Sequence, residues 1–187
     1  MRQRQSSLSN IWLISDARND AMLERILRRL PRGSGFIFRH YHLPERERRA
    51  RFTTLVRVAR ARGHCVVLAG SMAQARRWGT DGAYGSATSL TQGSAGLRLV
   101  TAHSLTEIGA AQRTRADALL LSPAFATRSH PDTRALGPVR WRLLAQRACL
   151  PLIALGGMNV RTVNRLRHLR WAAIDGLSDT SKRRRDS

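Results

Sequence analysis

Apolar residues in this chain come as short runs at regular intervals, with stretches of a different period between them. The runs are IWLIS (11–15), GFIFR (35–39), CVVLA (65–69), LRLVT (97–101), DALLLS (117–122), LPLIAL (150–155) and WAAIDG (171–176). DGAYG (81–85) fills the gap between the third and fourth of these. Continuous apolar character over so few residues suits strands of a parallel sheet covered by helices. The stretches between supply the helices. DAMLERILRRL carries Met22, Leu23, Ile26, Leu27 and Leu30 at helical spacing, and PERERRARFTTLVRVARAR opens on Pro44 and Glu45 and aligns Phe52, Leu55, Val56 and Ala59. Ser104 and Glu107 form a capping-box signature, and PVRWRLLAQRA and NVRTVNRLRHL, the latter capped by Asn159, add two more helices. The third and fourth crossovers are short and weakly patterned. Alternation of strand and helix predicts an α/β protein. Eight strands in so short a chain predict a compact (β/α)8 TIM barrel with its last helix truncated or missing; an open doubly wound sheet is the alternative.

A chain of 187 residues that is 42% hydrophobic can bury one full core. The expected organisation is a flexible segment over 1–10, a barrel over 11–178 and a disordered basic tail over 179–187. No apolar run reaches membrane-spanning length and MRQRQSSLSN lacks the core of a signal peptide, so the expectation is a cytoplasmic protein without membrane contact. The net charge of +21 would attract polyanions, but Lys182 is the only lysine among 33 basic residues. That skew resembles coding bias on exposed positions, and no specific nucleic-acid partner is expected. Cys65 and Cys149 have no metal-ligand spacing and read as buried free thiols.

In a barrel, ligands sit at the C-terminal ends of the strands, and phosphate is often held after strands seven and eight. Gly156-Gly157 after LPLIAL lets the backbone approach an anion, and the helix opening at Asn159 offers N–H groups. Gly176 and Ser178 follow the eighth strand. SPAFATRSHP (122–131) falls after strand six, beside that position, and contributes Thr127, Ser129 and His130. Arg39, ending strand two, is placed to act as a bidentate anion clamp.

These motifs, in this order, resemble the thiamine phosphate synthase family and its relatives, the TenI-type thiazole tautomerases. IFRHY keeps the Arg of a QLRxK-like second strand as Arg39, and GTDGAYG is similar to GADGVHLG. TAHSLTE matches SxHSxxE with Thr101, His103 and Glu107, SPAFATRSH matches GPxFxTxTK with Pro123, Phe125, Thr127 and Ser129, and LPLIALGGM matches IPVxAIGGI. The resemblance spans residues 11–178. It implies a small barrel of thiamin biosynthesis that joins a thiazole phosphate to a pyrimidine pyrophosphate, releasing pyrophosphate with the help of Mg2+. Carried over, Thr127, Ser129 and the Gly156-Gly157 loop would hold the thiazole phosphate and Arg39 would face the pyrophosphate; Thr101 and His103 from the strand-five motif, with Gly176 and Ser178 after strand eight, complete the expected substrate- and phosphate-binding set. The expected partner is a small phosphorylated thiazole or pyrimidine.

The chain departs from that pattern at the metal. Ala69 and Gly70 stand where the family has Asn-Asp, and there is no Asp or Glu from Gly82 to Thr106. Mg2+ needs oxygen ligands and usually a carboxylate, so no cofactor is expected. Ile37 and Tyr41 replace the Gln and Lys of the second-strand motif, and His130 replaces the Lys after strand six, exchanging a permanent cation for one that titrates near neutrality. Pro123 stands where the tautomerases carry a His. Three functions remain open at this level. One is a divergent synthase with Arg39 and His130 as its catalytic candidates. Another is a tautomerase moving a proton through His130, His103 or His42, and the third is a non-catalytic barrel that binds a phosphorylated ligand.

Overall fold

The computed structural model describes residues 8–91, 95–127 and 134–177. Eight parallel strands close into a barrel in chain order. They are β1 (Ile11–Ile14), β2 (Gly35–Phe38), β3 (Cys65–Ala69), β4 (Gly82–Gly85), β5 (Leu97–Ala102), β6 (Ala118–Leu121), β7 (Leu152–Ala154) and β8 (Trp171–Ala173). Closure is made where β1 pairs with β2 on one side, Leu13 opposite Phe36, and with β8 on the other, Trp12 opposite Ala172. Helices α1 (Leu23–Arg29), α2 (Glu45–Ala61), α3 (Met72–Trp78), α4 (Leu105–Gln112), α5 (Gly137–Ala145) and α6 (Val160–Leu166) connect strands. All the predicted strands form, and the open sheet is excluded. The third crossover does carry a helix, α3, held by the Ser71 cap at one end and by left-handed Gly79 at the other. Among the described residues the fourth crossover has none.

The continuous apolar runs are explained by two separate cores. Alternate strand residues, Trp12, Ile14, Ile37, Val67, Tyr84, Leu99, Leu120, Ile153 and Ala172 among them, fill the lumen. Their neighbours, including Leu13, Phe36, Phe38, Leu68, Val100, Leu121 and Ala173, pack outward against the helices with Leu27, Phe52, Leu55, Ile108 and Trp141. Each strand is thus dry on both faces. Trp12 fills the lower lumen so closely that a Cβ on Gly35 would lie 2.1 Å from its ring.

The segment after β1 differs from its sequence pattern. The helix expected from Asp20 begins as a 3-10 turn, Ala17–Met22, before α1. Asn19 sets this turn. It is buried, its amide donates to the carbonyls of Ile14 (2.9 Å) and Ile174 (2.8 Å), and its oxygen accepts from the Asp16 N–H. One side chain therefore ties the ends of β1 and β8 together across the seam. The reading of both cysteines as buried is corrected: Cys65 is half-buried and Cys149 is exposed, in the turn between α5 and β7. Both are free thiols. Residues 1–7 of the segment expected at 1–10, all of the tail expected at 179–187 and the question of a final helix lie outside the described residues. No described helix is long and apolar enough to cross a membrane.

Candidate functional site at the C-terminal mouth

Strand alternation decides which residues look into the mouth. Arg39 continues the inward row of Ile37, Thr101 that of Leu99, and Ser122 that of Leu120. Arg39 is half-buried, with its guanidinium 5.7 Å from the centre of the Tyr41 ring, and its side chain makes no hydrogen bond or ion pair among the described residues. Its charge is felt nearby. Burial would raise the Asp16 carboxyl, but the Arg18 hydrogen bonds and the charges of Arg18 and Arg39 outweigh it and hold Asp16 below its usual range. Burial pushes the Tyr84 phenol up to about 12, with Arg39 pulling the other way.

A second cation, Arg48 on α2, was missed by motif reading. Only 7% exposed, it stacks near Phe38, Tyr41 and Trp78. Its Nε donates to the Arg39 carbonyl at 3.0 Å and its Nη2 to the Ala69 carbonyl at 2.9 Å. The signal was present: Arg48 precedes Phe52, Leu55 and Ala59 at helical spacing, so a charge occupies the buried face of α2.

The loops after β6, β7 and β8 pack backbone against backbone. The N–H of Ala124 donates to the Leu155 carbonyl (2.8 Å) and that of Phe125 to the Gly156 carbonyl (3.0 Å). Gly156 and Gly157 have φ of +89° and +61°. A Cβ on Gly157 would lie 2.4 Å from the Ala126 carbonyl oxygen, one on Gly156 2.7 Å from Pro123, and one on Gly176 1.9 Å from the Met158 carbonyl oxygen. These glycines are therefore required by neighbouring loops, a reason that spacing alone did not reveal. The helix N-terminus is less open than its sequence suggests, because Asn159 Oδ1 already accepts from the N–H groups of Arg161 (2.8 Å) and Thr162 (3.0 Å). The N–H groups of Gly157 and Met158 donate to no described residue.

Thr127 is half-buried at the end of the described part of this loop. Ser129, His130 and Ser178 lie outside the described residues. Thr101 Oγ1 makes a long 3.4 Å bond to the Gly85 carbonyl. His103 is exposed and held locally, its ring Nδ1 and its backbone N–H both 2.8 Å from Glu107 Oε2. The expected capping box is thus half made: Ser104 accepts from the Glu107 N–H, while the Glu107 carboxylate reaches one residue further back.

At the ends of β3 and β4, Ala69 and Gly70 present only backbone. Ser71 Oγ is engaged in capping α3, and Ser86 Oγ in bonds to Thr88 and Ser89. No group of three or more His, Cys, Asp or Glu side chains that could hold a metal occurs among the described residues.

Fold and mouth together define a (β/α)8 barrel protein whose strand ends carry fixed cations and hydroxyls and whose β6, β7 and β8 loops form one packed unit. The thiamine monophosphate synthase family matches residues 11–178, and the chain belongs to it. Among individual relatives, the thiamine-phosphate synthase of Chloroflexus aurantiacus is 41% identical over 61 residues, 32% of this chain and 28% of that one. A relative from Aquifex aeolicus is 36% identical over 58 residues, 31% of each chain. Each match thus spans less than a third of the curated relative's length. Thiamine phosphate pyrophosphorylase from Pyrococcus furiosus superposes with a TM-score of 0.73 over 93% of this chain and 89% of its own, at 20% identity, which bears on the fold.

Proposed function

We propose that this barrel is a divergent thiamine phosphate synthase that binds a thiazole phosphate at the β6–β7 loops and couples it to a pyrimidine pyrophosphate. The observation that carries the reading is Arg39, an inward cation at the mouth that makes no ion pair among the described residues, although its charge reaches Asp16. In the coupling, the thiazole nitrogen forms a bond to the pyrimidine methylene carbon as the carbon–oxygen bond to pyrophosphate breaks. The N–H groups of Gly157 and Met158, with Thr127, Ser129 and Ser178, would hold the thiazole phosphate. Arg39, helped by His130 when protonated, would take up the charge that grows on the leaving pyrophosphate, which is electrostatic stabilisation by groups already in place.

Mg2+, the family's metal, does not fit the residues at the β3 and β4 ends. The oxygen of Ala69 already accepts from a guanidinium, and no described carboxylate replaces the missing Asp ligands. We therefore assign no step to a metal. The same poverty of carboxylates favours one second reading, a barrel that binds the phosphorylated ligand without turnover. Cytoplasmic location is part of the proposal.

Calorimetric titration of the purified protein with a thiazole phosphate, with and without EDTA, tests binding; an assay for thiamine phosphate tests coupling. Thr127→Val should weaken binding roughly ten- to a hundredfold, the value of a hydrogen bond to a charged group, about 1.5–3 kcal/mol. EDTA should change nothing. Binding without product selects the second reading, and loss of binding in EDTA refutes the metal-free site.

A further inference from the structure

Behind Arg39 a chain of hydrogen-bonded side chains, buried at its Ser15–His40 end, links the ends of β1 and β2 to the 3-10 turn, α1 and α2. Ser15 Oγ lies 2.8 Å from the Arg39 N–H and 2.8 Å from His40 Nδ1. His40 Nε2 lies 2.7 Å from Asp20 Oδ1, which also accepts from Arg51 Nε at 2.7 Å, and Arg51 is paired with Glu24. By connectivity this is a Ser–His–Asp constellation. By access it is no nucleophile, since Ser15 is 0% exposed and the His40 side chain likewise. A substrate cannot reach either.

The protons can be assigned. Asp20 is ionised and only accepts, so His40 Nε2 carries a hydrogen and donates it. The neutral ring then leaves Nδ1 as an acceptor for the Ser15 hydroxyl, and a remaining lone pair on Ser15 Oγ takes the Arg39 N–H. Every donor has one acceptor. The result is geometric. Ser15 N–H still pairs with the Ile37 carbonyl in the manner of the sheet, but the next bond goes from Arg39 to the Ser15 side chain. The ladder stops there, and His40 turns away at φ +39° with its ring stacked 4.7 Å from Phe38. On the other side of the residue, Arg48 Nε grips the Arg39 carbonyl. Both backbone polar groups of Arg39 are thus held by side chains.

We propose that Ser15, His40 and Asp20 are positioning residues for Arg39: they fix its main chain so that its guanidinium is aimed into the mouth, and they govern anion affinity without touching the anion. The inference rests on the reading of Arg39 as the anion-facing cation. A position held on both sides loses little freedom when it binds, which is where preorganised sites gain affinity.

The test is calorimetric titration with inorganic pyrophosphate, alongside thermal melting. Ser15→Ala and His40→Asn, the second chosen because Asn tolerates a left-handed backbone, should each weaken pyrophosphate binding about three- to tenfold. Asp20→Ala, at the half-exposed end of the chain, should act in the same direction should the buried variants fold poorly. Ser15→Thr keeps the hydroxyl and should restore binding. Arg39→Ala should weaken binding at least as much, and Ser15→Ala should add nothing in that background, because the two act through one group. Wild-type affinity in Ser15→Ala and His40→Asn, with Arg39→Ala impaired, overturns the positioning role and leaves the anion site standing. An equal loss from Ser15→Ala with or without Arg39 overturns it as general loosening. Wild-type affinity in Arg39→Ala removes Arg39 from the site and the inference with it.

Discussion

At the residue scale, Gly157 separates two explanations that the sequence leaves merged. A Gly-Gly pair after a strand reads as a place where backbone meets anion. In the structure the space its Cβ would need is taken by the Ala126 carbonyl, and its φ is +61°. Gly157→Ala should therefore destabilise the protein with no ligand present. The left-handed conformation alone costs about 1–2 kcal/mol, and the contact adds to it, so the melting temperature should drop by several degrees. Thermal unfolding of the unliganded variant checks this. An unchanged melting temperature would mean that the loops are not packed in this way and that only the anion demands glycine there. Arg48 carries the complementary lesson. Its charge at a core position of α2 was legible as an oddity, but its partners, the carbonyls of Arg39 and Ala69, come from β2 and β3.

At the scale of elements, the 3-10 turn, the end of β2 and α2 are joined by His40, Asp20, Glu24 and Arg51, and their ionisation makes the joint acid-sensitive. Burial lowers the His40 pKa, with Asp20 opposing and the charges of His42 and Arg51 adding to the fall. Folding therefore favours the neutral ring; its contribution is complete above about 6.5, where the unfolded chain also keeps His neutral, and declines as pH falls from there toward the lowered folded value. Glu24 is held down by the Arg51 hydrogen bond. For Asp20, burial works upward, but the hydrogen bonds from Arg51 and His40 prevail and its pKa is lowered too. Their contribution is present above the ordinary carboxylate range and is lost only as pH falls through the lowered values. Melting temperature followed from pH 8 downward should stay flat, fall once below about 6.5 and again in the carboxylate range. Burial lowers the His64 pKa in the same direction, so His40→Asn should shrink the first fall to the part that His64 contributes and leave the second. A first fall of undiminished size in the variant would place its origin outside His40.

For the whole molecule, 33 Lys and Arg against 12 Asp and Glu make self-repulsion a standing cost. Salt screens exposed charges over a Debye length of about 10 Å at 0.1 M and acts less on part-buried pairs such as Arg51 with Glu24. Raising NaCl from about 10 to about 150 mM should raise the melting temperature, since compaction is what the net charge opposes. A melting temperature that falls instead would show that exposed ion pairs outweigh net repulsion.

The sequence by itself determined the number of strands, most helices, the parallel barrel and the family, because burial on both faces of a strand and the 3.6-residue period of a helix leave local marks. It also marked Arg39 as the cation at the end of strand two. Only the tertiary structure decided that Asn19 closes the β1–β8 seam, that Gly156, Gly157 and Gly176 make room for neighbouring loops, and that Ser15, His40 and Asp20 meet behind Arg39. Asn19 and Ile174 are 155 residues apart. Hydrogen bonds of that kind have no period and no fixed spacing: the partner of a buried polar atom is chosen by which strands the barrel brings together, and closure of the barrel is a property of the whole chain.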